Sequence, residues 1–340
     1  MIPAHNAGAT LDDCLESVYG TAGVRFEVIL VDDASTDDTV AIGRRFPCRI
    51  IRVGTRAMAA NCRNIGAAHA RGEILVFVDA DEVIFADTVR RFANALQQAP
   101  DIDAVVGSLT ADTPAPGFFS RFKNFQHHFV HQTAAGEGTT LDSGRMAIRR
   151  RTFEQVGGFE PAFGGSSIED IALGYRMTRR GLRIRFEPSI QVVHLKAYTF
   201  SHLVRSDVLN RAIPWTGLML RERVFRFQLN TRAGNVGSVA IAWLLPLGVF
   251  GIVGGRPGMW LLEAAMLLLL WKLNDAFLLA ARRRFGVWFT VRAAAFLPVM
   301  YWYQGFGFLL GVGAYVLGRS VARPRSRPEP TITILEPEAR

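Results

Sequence analysis

The chain has 340 residues, 49% of them hydrophobic and 20% charged, with 24 Phe and a positive mean hydropathy of +0.17. That composition excludes a disordered chain, a collagen and a small disulfide scaffold. Lys and Arg total 39 against 30 acids, a net charge of +9 that suits nucleic acid, a membrane surface or an anionic substrate, and position along the chain has to choose among them.

From Met1 to about Pro188, short apolar runs alternate with amphipathic stretches. Phe26–Val31 is a β-rich run ending in Asp32-Asp33, and Glu73–Val78 is another ending in Asp79-Ala80-Asp81. The residues after them, 37–45, 59–70 and 87–98, carry helical periodicity, so the pattern predicts βαβ units with helices packed on a sheet. Strands are expected over 104–109 and 184–193, and a helix from about Ser167 to Arg180, closed by Gly181. Cys14, Cys48 and Cys62 have neither the even count of a disulfide framework nor metal-ligand spacing, and read as reduced, cytosol-facing thiols. No charged segment followed by an apolar one opens the sequence, so nothing in it is expected to carry the N-terminal part across a membrane.

The character changes after Arg232. Gly237–Val253 and Met259–Ala281 are apolar runs of membrane-spanning length joined by a Gly- and Pro-rich turn, and a third apolar stretch covers 293–317. Glu263, Lys272 and Asp275 interrupt the second run, the last two at a spacing that lets them pair. Arg282-Arg283-Arg284 and the later Arg319, Arg323, Arg325 and Arg327 belong in the cytoplasm by the positive-inside rule, which favours two spans with the third stretch interfacial. Residues 141–232 carry fifteen Arg and one Lys against eight acids, a surplus of +8, leading into the first apolar run. Such a segment suits anionic head groups or a phosphate-bearing lipid, or is ordinary positive-inside flanking. The tail from Pro324, rich in Pro and charge, is expected to be disordered.

Two carboxylates two apart at the carboxyl end of an apolar strand, Asp79 and Asp81, project to one side. They suit one hard cation with its phosphate oxygens. In isolation such a pair is more often a solvated loop. It is preceded by Ile2-Pro3-Ala4-His5-Asn6, the Asp32-Asp33 strand end and Asn61-Cys62-Arg63-Asn64, and followed by Gly157-Gly158-Phe159 and Glu169-Asp170.

This ordered set resembles family 2 glycosyltransferases of the GT-A fold over about Met1 to Leu195, with a weaker likeness in the C-terminal hydrophobic helices. The resemblance implies an α/β fold, a mixed, mainly parallel sheet with flanking helices, followed by transmembrane or interfacial helices. The expected organisation is a catalytic domain over 1–198, a basic amphipathic connector over 199–236, membrane helices over 237–318 and a tail over 319–340. It implies a nucleotide-sugar donor, with UDP favoured by the resemblance alone, whose base and ribose are held by Pro3, Ala4, Asn6 and Asp33. A carboxylate can accept from the imide N–H of uracil. Arg63 and Asn64 then line the donor site, Arg63 meeting the diphosphate or standing as a surface helix charge. Asp79 and Asp81 hold a divalent metal, Mn²⁺ or Mg²⁺, with His194 completing its site.

In the Glu169-Asp170 pair the resemblance makes Asp170 the base that takes the acceptor hydroxyl's proton during inversion. Asp170 also has capping-box spacing with Ser167, as Asp38 has with Ser35, and two acids are ordinary in a helix's first turn. His127, His128 and His131 read as a solvated or interfacial face. The expected activity is transfer of one sugar to a lipid or glycan acceptor at the cytoplasmic face of the inner membrane, with no nucleic acid as partner. The absence of a Q-x-x-R-W pattern argues against a processive synthase.

Relatives of this kind carry an apolar strand before the Ile-Pro pair, so β-structure at the start is expected to be cut short. The competing readings are a catalytically inactive membrane protein that binds a sugar nucleotide, and a sugar nucleotidyltransferase. The latter lacks its G-x-G-T-R-type loop here. A dehydrogenase is disfavoured because no Gly-rich fingerprint follows an early strand.

Overall fold

Ile29, Leu30 and Val31 are buried on both faces, which is why this β-branched run forms the central strand β2 (Ile29–Asp33). It pairs in parallel with β1 (Ile2–Ala4) on one side and β3 (Arg49–Val53) on the other. The first strand is therefore formed, though it is three residues long. Met1 carries it toward the next sheet: its ammonium donates to Val76 O over 3.0 Å and its carbonyl accepts from Val78 N over 3.1 Å.

The structure is a computed structural model that describes residues 1–134, 136–160, 168–224, 233–318 and 330–337. It divides into two units, one of residues 1–116, 131–197 and 322–340 and one of 117–130 and 198–321. Residues 117–130 thus group with the C-terminal helices, and residues 322–340 with the first unit.

In the first unit the second sheet runs β4 (Ile74–Val78), β8 (Arg145–Arg149), β6 (Ala104–Leu109), β9 (Ile184–His194), β5 (Glu82–Ile84), with β7 (Gly136–Gly138) also on β9. Among the described residues parallel pairing is confined to β1–β2–β3 and β6–β9, so the sheets are mixed and the expectation of a mainly parallel sheet holds for the N-terminal half. Helices α1 (Leu11–Tyr19), α2 (Thr39–Gly43), α3 (Met58–His69) and α4 (Thr88–Gln97) come between and after these strands. Leu11, Cys14, Leu15 and Val18 of α1 form one core with Ile2, Leu30 and Ile50. The three cysteines are unpaired and buried. Helices α6 (Arg150–Val156) and α7 (Glu169–Arg179) complete the unit; Ser167, offered above as a cap for α7, lies outside the described residues.

The tail departs from expectation. Residues 319–329 and 338–340 lie outside the described residues, but β10 (Ile332–Leu335) is an antiparallel strand on the free edge of β3, with Ile332 opposite Val53 and Leu335 opposite Ile50. The alternation Ile332, Ile334 supplies β propensity that the flanking prolines and charges mask in a composition window. Gly54 N donates to Thr331 O over 2.9 Å, and Arg49 pairs with Glu336 at 3.1 Å.

The second unit is helical. It holds α5 (Phe118–Gln132) up to Val130, α8 (Phe200–Arg205), a π-helical turn Ser206–Ala212 and α9 (Ile213–Glu222), then α10 (Ala233–Val253), α11 (Met259–Leu273) and α12 (Asp275–Val316). Within the expected connector, residues 200–222 are helical, with Leu203, Val208, Trp215 and Leu218 buried, and residues 225–232 lie outside the described residues. The expected second span, 259–281, is interrupted at Asn274, and the third apolar stretch continues α12, which is itself broken at Gly286 (φ 82°, ψ −177°). Lys272 and Asp275 do pair, at 2.5 Å.

Candidate active site

A cavity of about 440 Å³ opens at the carboxyl ends of β1, β2 and β4. Its walls are the loop Pro3–Ala7, Asp33, Arg56, Ala59, Cys62 and Arg63 from the start of α3, Asp79–Asp81 after β4, and Leu195–Ala197 after β9. Sequence positions nearly two hundred residues apart thus meet because four strand ends point the same way, the place where open α/β sheets bind ligands.

The loop after β1 is fixed by the loop after β2. Asn6 Oδ1 accepts from Thr36 N at 2.9 Å, Asn6 N donates to Ser35 Oγ at 3.0 Å, and His5 Nδ1 lies 2.8 Å from Asp33 O. Ser35 is thereby committed to Asn6, and the residue that bonds the start of α2 is Asp37, which accepts from Thr39 N at 3.1 Å. This corrects the capping assignment made from spacing. Asn6, Ala34 and Met58 all have positive φ (48°, 55°, 71°), three non-glycine residues in a region that costs about 1–3 kcal/mol each, at the strand and helix ends framing the cavity.

Asp33 is 3% exposed and clamps the start of α3, accepting from Ala57 N at 2.5 Å and Met58 N at 3.1 Å and pairing with Arg56 at 3.1 Å. Asp32 is fully buried, accepts from Ser35 N and pairs with Arg52 at 3.2 Å.

Arg63 is not a surface charge. It is 3% exposed, donating to Asp79 Oδ1 at 2.6 Å and Glu169 Oε1 at 2.9 Å, with its guanidinium 5.6 Å from the centre of the Phe159 ring. Burial opposes its charge, and Asp79 and Glu169 more than offset that, so the guanidinium is held above its ordinary pKa. Asn64 does not line the cavity. Its amide donates to Phe159 O and accepts from Phe159 N, both at 2.8 Å, which fastens the Gly157-Gly158-Phe159 turn to α3. Gly158 has φ +64°, and an added Cβ would stand 2.6 Å from Asn64 Oδ1, so the glycine is required there.

Asp79 and Asp81 are about a third exposed at their side chains (34% and 30%) and both face the cavity. His194 sits opposite Glu82 in the β5–β9 ladder, with Nε2 3.5 Å from Asp81 Oδ2. Burial pushes the Asp81 carboxyl up, but the His194 imidazole, with Lys196 and Arg145, outweighs it and holds the pKa at about 2. Behind the pair, fully buried Glu82 accepts from Arg145, which also pairs with Asp142. Gly144 lies against this group: Asp79 N donates to its carbonyl at 3.3 Å, and an added Cβ would come 2.8 Å from both Asp79 Oδ2 and Glu82 Oε1.

Among the described residues no three ligating side chains converge on one point. Asp79, Asp81 and His194 are thus not a complete ligand set, and the two part-exposed carboxylates suit a hard divalent cation only where phosphate and water supply the rest of its shell.

Glu169 and Asp170 open α7 and do not line the cavity; Arg63 joins Glu169 to Asp79. Glu169 Oε2 is buried with no hydrogen-bond partner among the described residues. Asp170 is half-buried and accepts from Ser143 N at 3.2 Å and Ile171 N at 2.7 Å. The loop 142–145 thus touches both carboxylate groups.

Of the histidines read as a solvated face, His131 is buried, 3.8 Å from Asp142, while His127 meets Arg211 and His128 stacks on Phe125. Arg56 and Lys196, two further cations on the cavity wall, carry no motif and were not anticipated. Their only signal in the sequence is adjacency, Arg56 before α3 and Lys196 two residues after His194.

Residues 1–157 match the family model described as Glycosyl transferase family 2. An uncharacterized glycosyltransferase of Haemophilus influenzae is 27% identical over 172 residues, 50% of this chain and 58% of that protein. Glycosyltransferase GlyG of Streptococcus pneumoniae is 28% identical over 158 residues, 45% of this chain and 52% of that one. The alignments thus span little more than half the length of these curated relatives. The mannosyltransferase PcManGT from Pyrobaculum calidifontis, solved with GDP-Man and Mn²⁺, shares the fold, with a TM-score of 0.58 and 20% identity over 94% of this chain and 86% of that chain.

Proposed function

With residues 1–157 a family 2 glycosyltransferase domain, we propose that the chain transfers one sugar, with inversion, from a nucleoside-diphosphate sugar to a lipid or glycan acceptor at the cytoplasmic membrane face. The observation that carries this reading is the single cavity in which the loop 3–7, Asp33, Arg63, Asp79 and Asp81 meet.

The base and ribose lie against Pro3, Ala4, Asn6 and Asp33, where strained, cross-bonded loops hold backbone groups in place before the ligand arrives. Asp79 and Asp81, with His194 beside them, would hold Mn²⁺ or Mg²⁺, which when bound supplies positive charge to the departing diphosphate. Arg56, Arg63 and Lys196 add fixed cations on the same wall. Asp170, set apart from the nucleotide cavity, takes the acceptor hydroxyl's proton. Its carboxylate is aimed by Ser143 N, on the loop whose Gly144 abuts Asp79.

Membrane association rests on the second unit. Leu244, Leu247, Phe250 and Val253 of α10 and Trp260, Leu261, Leu268 and Leu269 of α11 are each at least half exposed, far more apolar surface than a soluble face carries. Both α10 and α12 are long and apolar enough to cross a bilayer.

Calorimetry of the membrane-extracted protein against a panel of nucleoside-diphosphate sugars, with and without Mn²⁺, tests the donor assignment. Binding of one donor that strengthens with Mn²⁺ supports it, and no binding to any donor overturns it.

A further inference from the structure

We infer that Arg145 is a positioning residue for the transfer: its buried guanidinium anchors the loop 142–144, and that loop sets the metal-side carboxylate Asp79 against the base Asp170. The inference rests on the roles proposed above for those two acids and adds the group that holds both in place.

The loop between β7 and β8 is buried. Thr139, Thr140, Leu141, Ser143 and Arg145 are each no more than 5% exposed, whereas loops ordinarily run over a surface where water satisfies their backbone. Two glycines let its neighbours come this close. On one side α7 presses on it at Gly174, where an added Cβ would stand 2.6 Å from Thr140 Cα. On the other, Gly144 lies against the carboxylates of Asp79 and Glu82.

Asp170 and Gly174 are four apart on α7 and share one helical face. That face meets the loop twice, at Thr140 and through the bond from Ser143 N to Asp170 Oδ2. The end of β4 meets it at Gly144, whose carbonyl accepts from Asp79 N. The segment is therefore a spacer between the two acids, and a shift of it moves both.

A spacer needs a fixed end. Arg145 closes the loop at the start of β8, opposite Val78 in the β4–β8 ladder. Its Nε donates to Glu82 Oε1 at 2.9 Å with Nη2 on the same oxygen, while Nη1 donates to Asp142 Oδ2. Its backbone N donates to Asp142 O at 3.2 Å. One planar fork thus joins β5 to the turn of the loop, a geometry that the point charge of a lysine does not reproduce. Neither Glu82 nor Arg145 lines the cavity, so they act through Asp79 and Asp170 rather than on substrate.

The test uses the membrane-extracted full chain. Glu82→Met with Arg145→Met replaces the buried pair by apolar side chains, an exchange that is often neutral for stability. Asp142→Ala removes the other arm at a side chain that is 24% exposed. In metal-free protein, hydrogen exchange of the amides of 139–144 should be faster in both variants than in the parent, whereas Glu82→Gln, which keeps an oxygen for the guanidinium, should retain slow exchange. Calorimetry without metal should give parental affinity for UDP or GDP, whichever the parent binds, because Asp33 and the loop 3–7 are untouched. Mn²⁺ should bind that complex more weakly, and turnover per folded molecule should fall by about 10²-fold, the cost of a misplacement of about 1 Å. A lower melting temperature with parental exchange, Mn²⁺ affinity and turnover would mark a purely structural pair and overturn the inference, leaving the transferase reading intact. If the double variant fails to melt cooperatively, Asp142→Ala decides by the same readouts. A parent that binds neither nucleotide overturns the reading on which the inference rests, and the inference with it.

Discussion

Arg63 holds Asp79 with one arm of its guanidinium at 2.6 Å while the other holds Glu169 at 2.9 Å. One buried cation therefore ties the carboxylate on the cavity wall to the pair at the start of α7, 90 residues further along the sequence. Removing it leaves Glu169 buried and unpaired, a loss of about 3–5 kcal/mol for a broken buried pair. Arg63→Met should melt well below the parent in scanning fluorimetry. Arg63→Lys keeps the charge but cannot reach both acids, and should recover only part of the loss. A parental melting temperature for Arg63→Met would remove the bridging role.

Gly144→Ala places a methyl group 2.8 Å from Asp79 Oδ2 and Glu82 Oε1. The cheapest relief is a displaced Asp79, and misplacement of about 1 Å at a site can cost about 10²-fold in turnover. The expected result is a fall of that order in turnover with nucleotide-sugar affinity also reduced, read by steady-state kinetics and calorimetry. Unchanged kinetics would mean that the loop yields rather than Asp79.

Asp170→Asn retains an acceptor for Ser143 N but cannot take a proton. Turnover should fall by about 10²–10⁴, while donor affinity stays at the parental value because the cavity wall is untouched. Glu169→Gln should lower the melting temperature through Arg63 more than it lowers turnover per folded molecule.

Asp81 makes stability acid-sensitive in chelator-treated protein. Its folded pKa, about 2, lies below the ordinary carboxylate value, so its contribution is complete above the unfolded pKa, about 4, and is lost as pH falls toward 2. Asp81→Asn should flatten that limb of an acid-unfolding curve. A limb as steep as the parent's would show that other carboxylates carry it.

The strand-end acids and the helix after each were legible because hydrophobic period and motif coincide there: Asp33 and Asp79–Asp81 share one cavity as expected. What was hidden depended on tertiary partners. The sequence offers no sign that Asn64 spends its amide on Phe159, or that Asp37 rather than Ser35 bonds the start of α2. His131 is an instructive case, since its acidic neighbour Asp142 is eleven residues away in sequence but 3.8 Å away in space. The strand β10 was missed because four residues of β propensity sit among prolines and charges. The break at Asn274 was missed because an apolar run continues through it, with no proline or glycine to mark the change of direction.

The most direct test of a metal-dependent sugar transfer is release of nucleoside diphosphate from a panel of nucleotide sugars by membranes carrying the parent, Asp81→Ala or Asp170→Asn, in Mn²⁺ or in excess chelator. The parent should turn over one donor in Mn²⁺, with activity lost in chelator and in both variants. Equal release by the parent and Asp170→Asn, or release undiminished by chelator and by Asp81→Ala, would contradict the account.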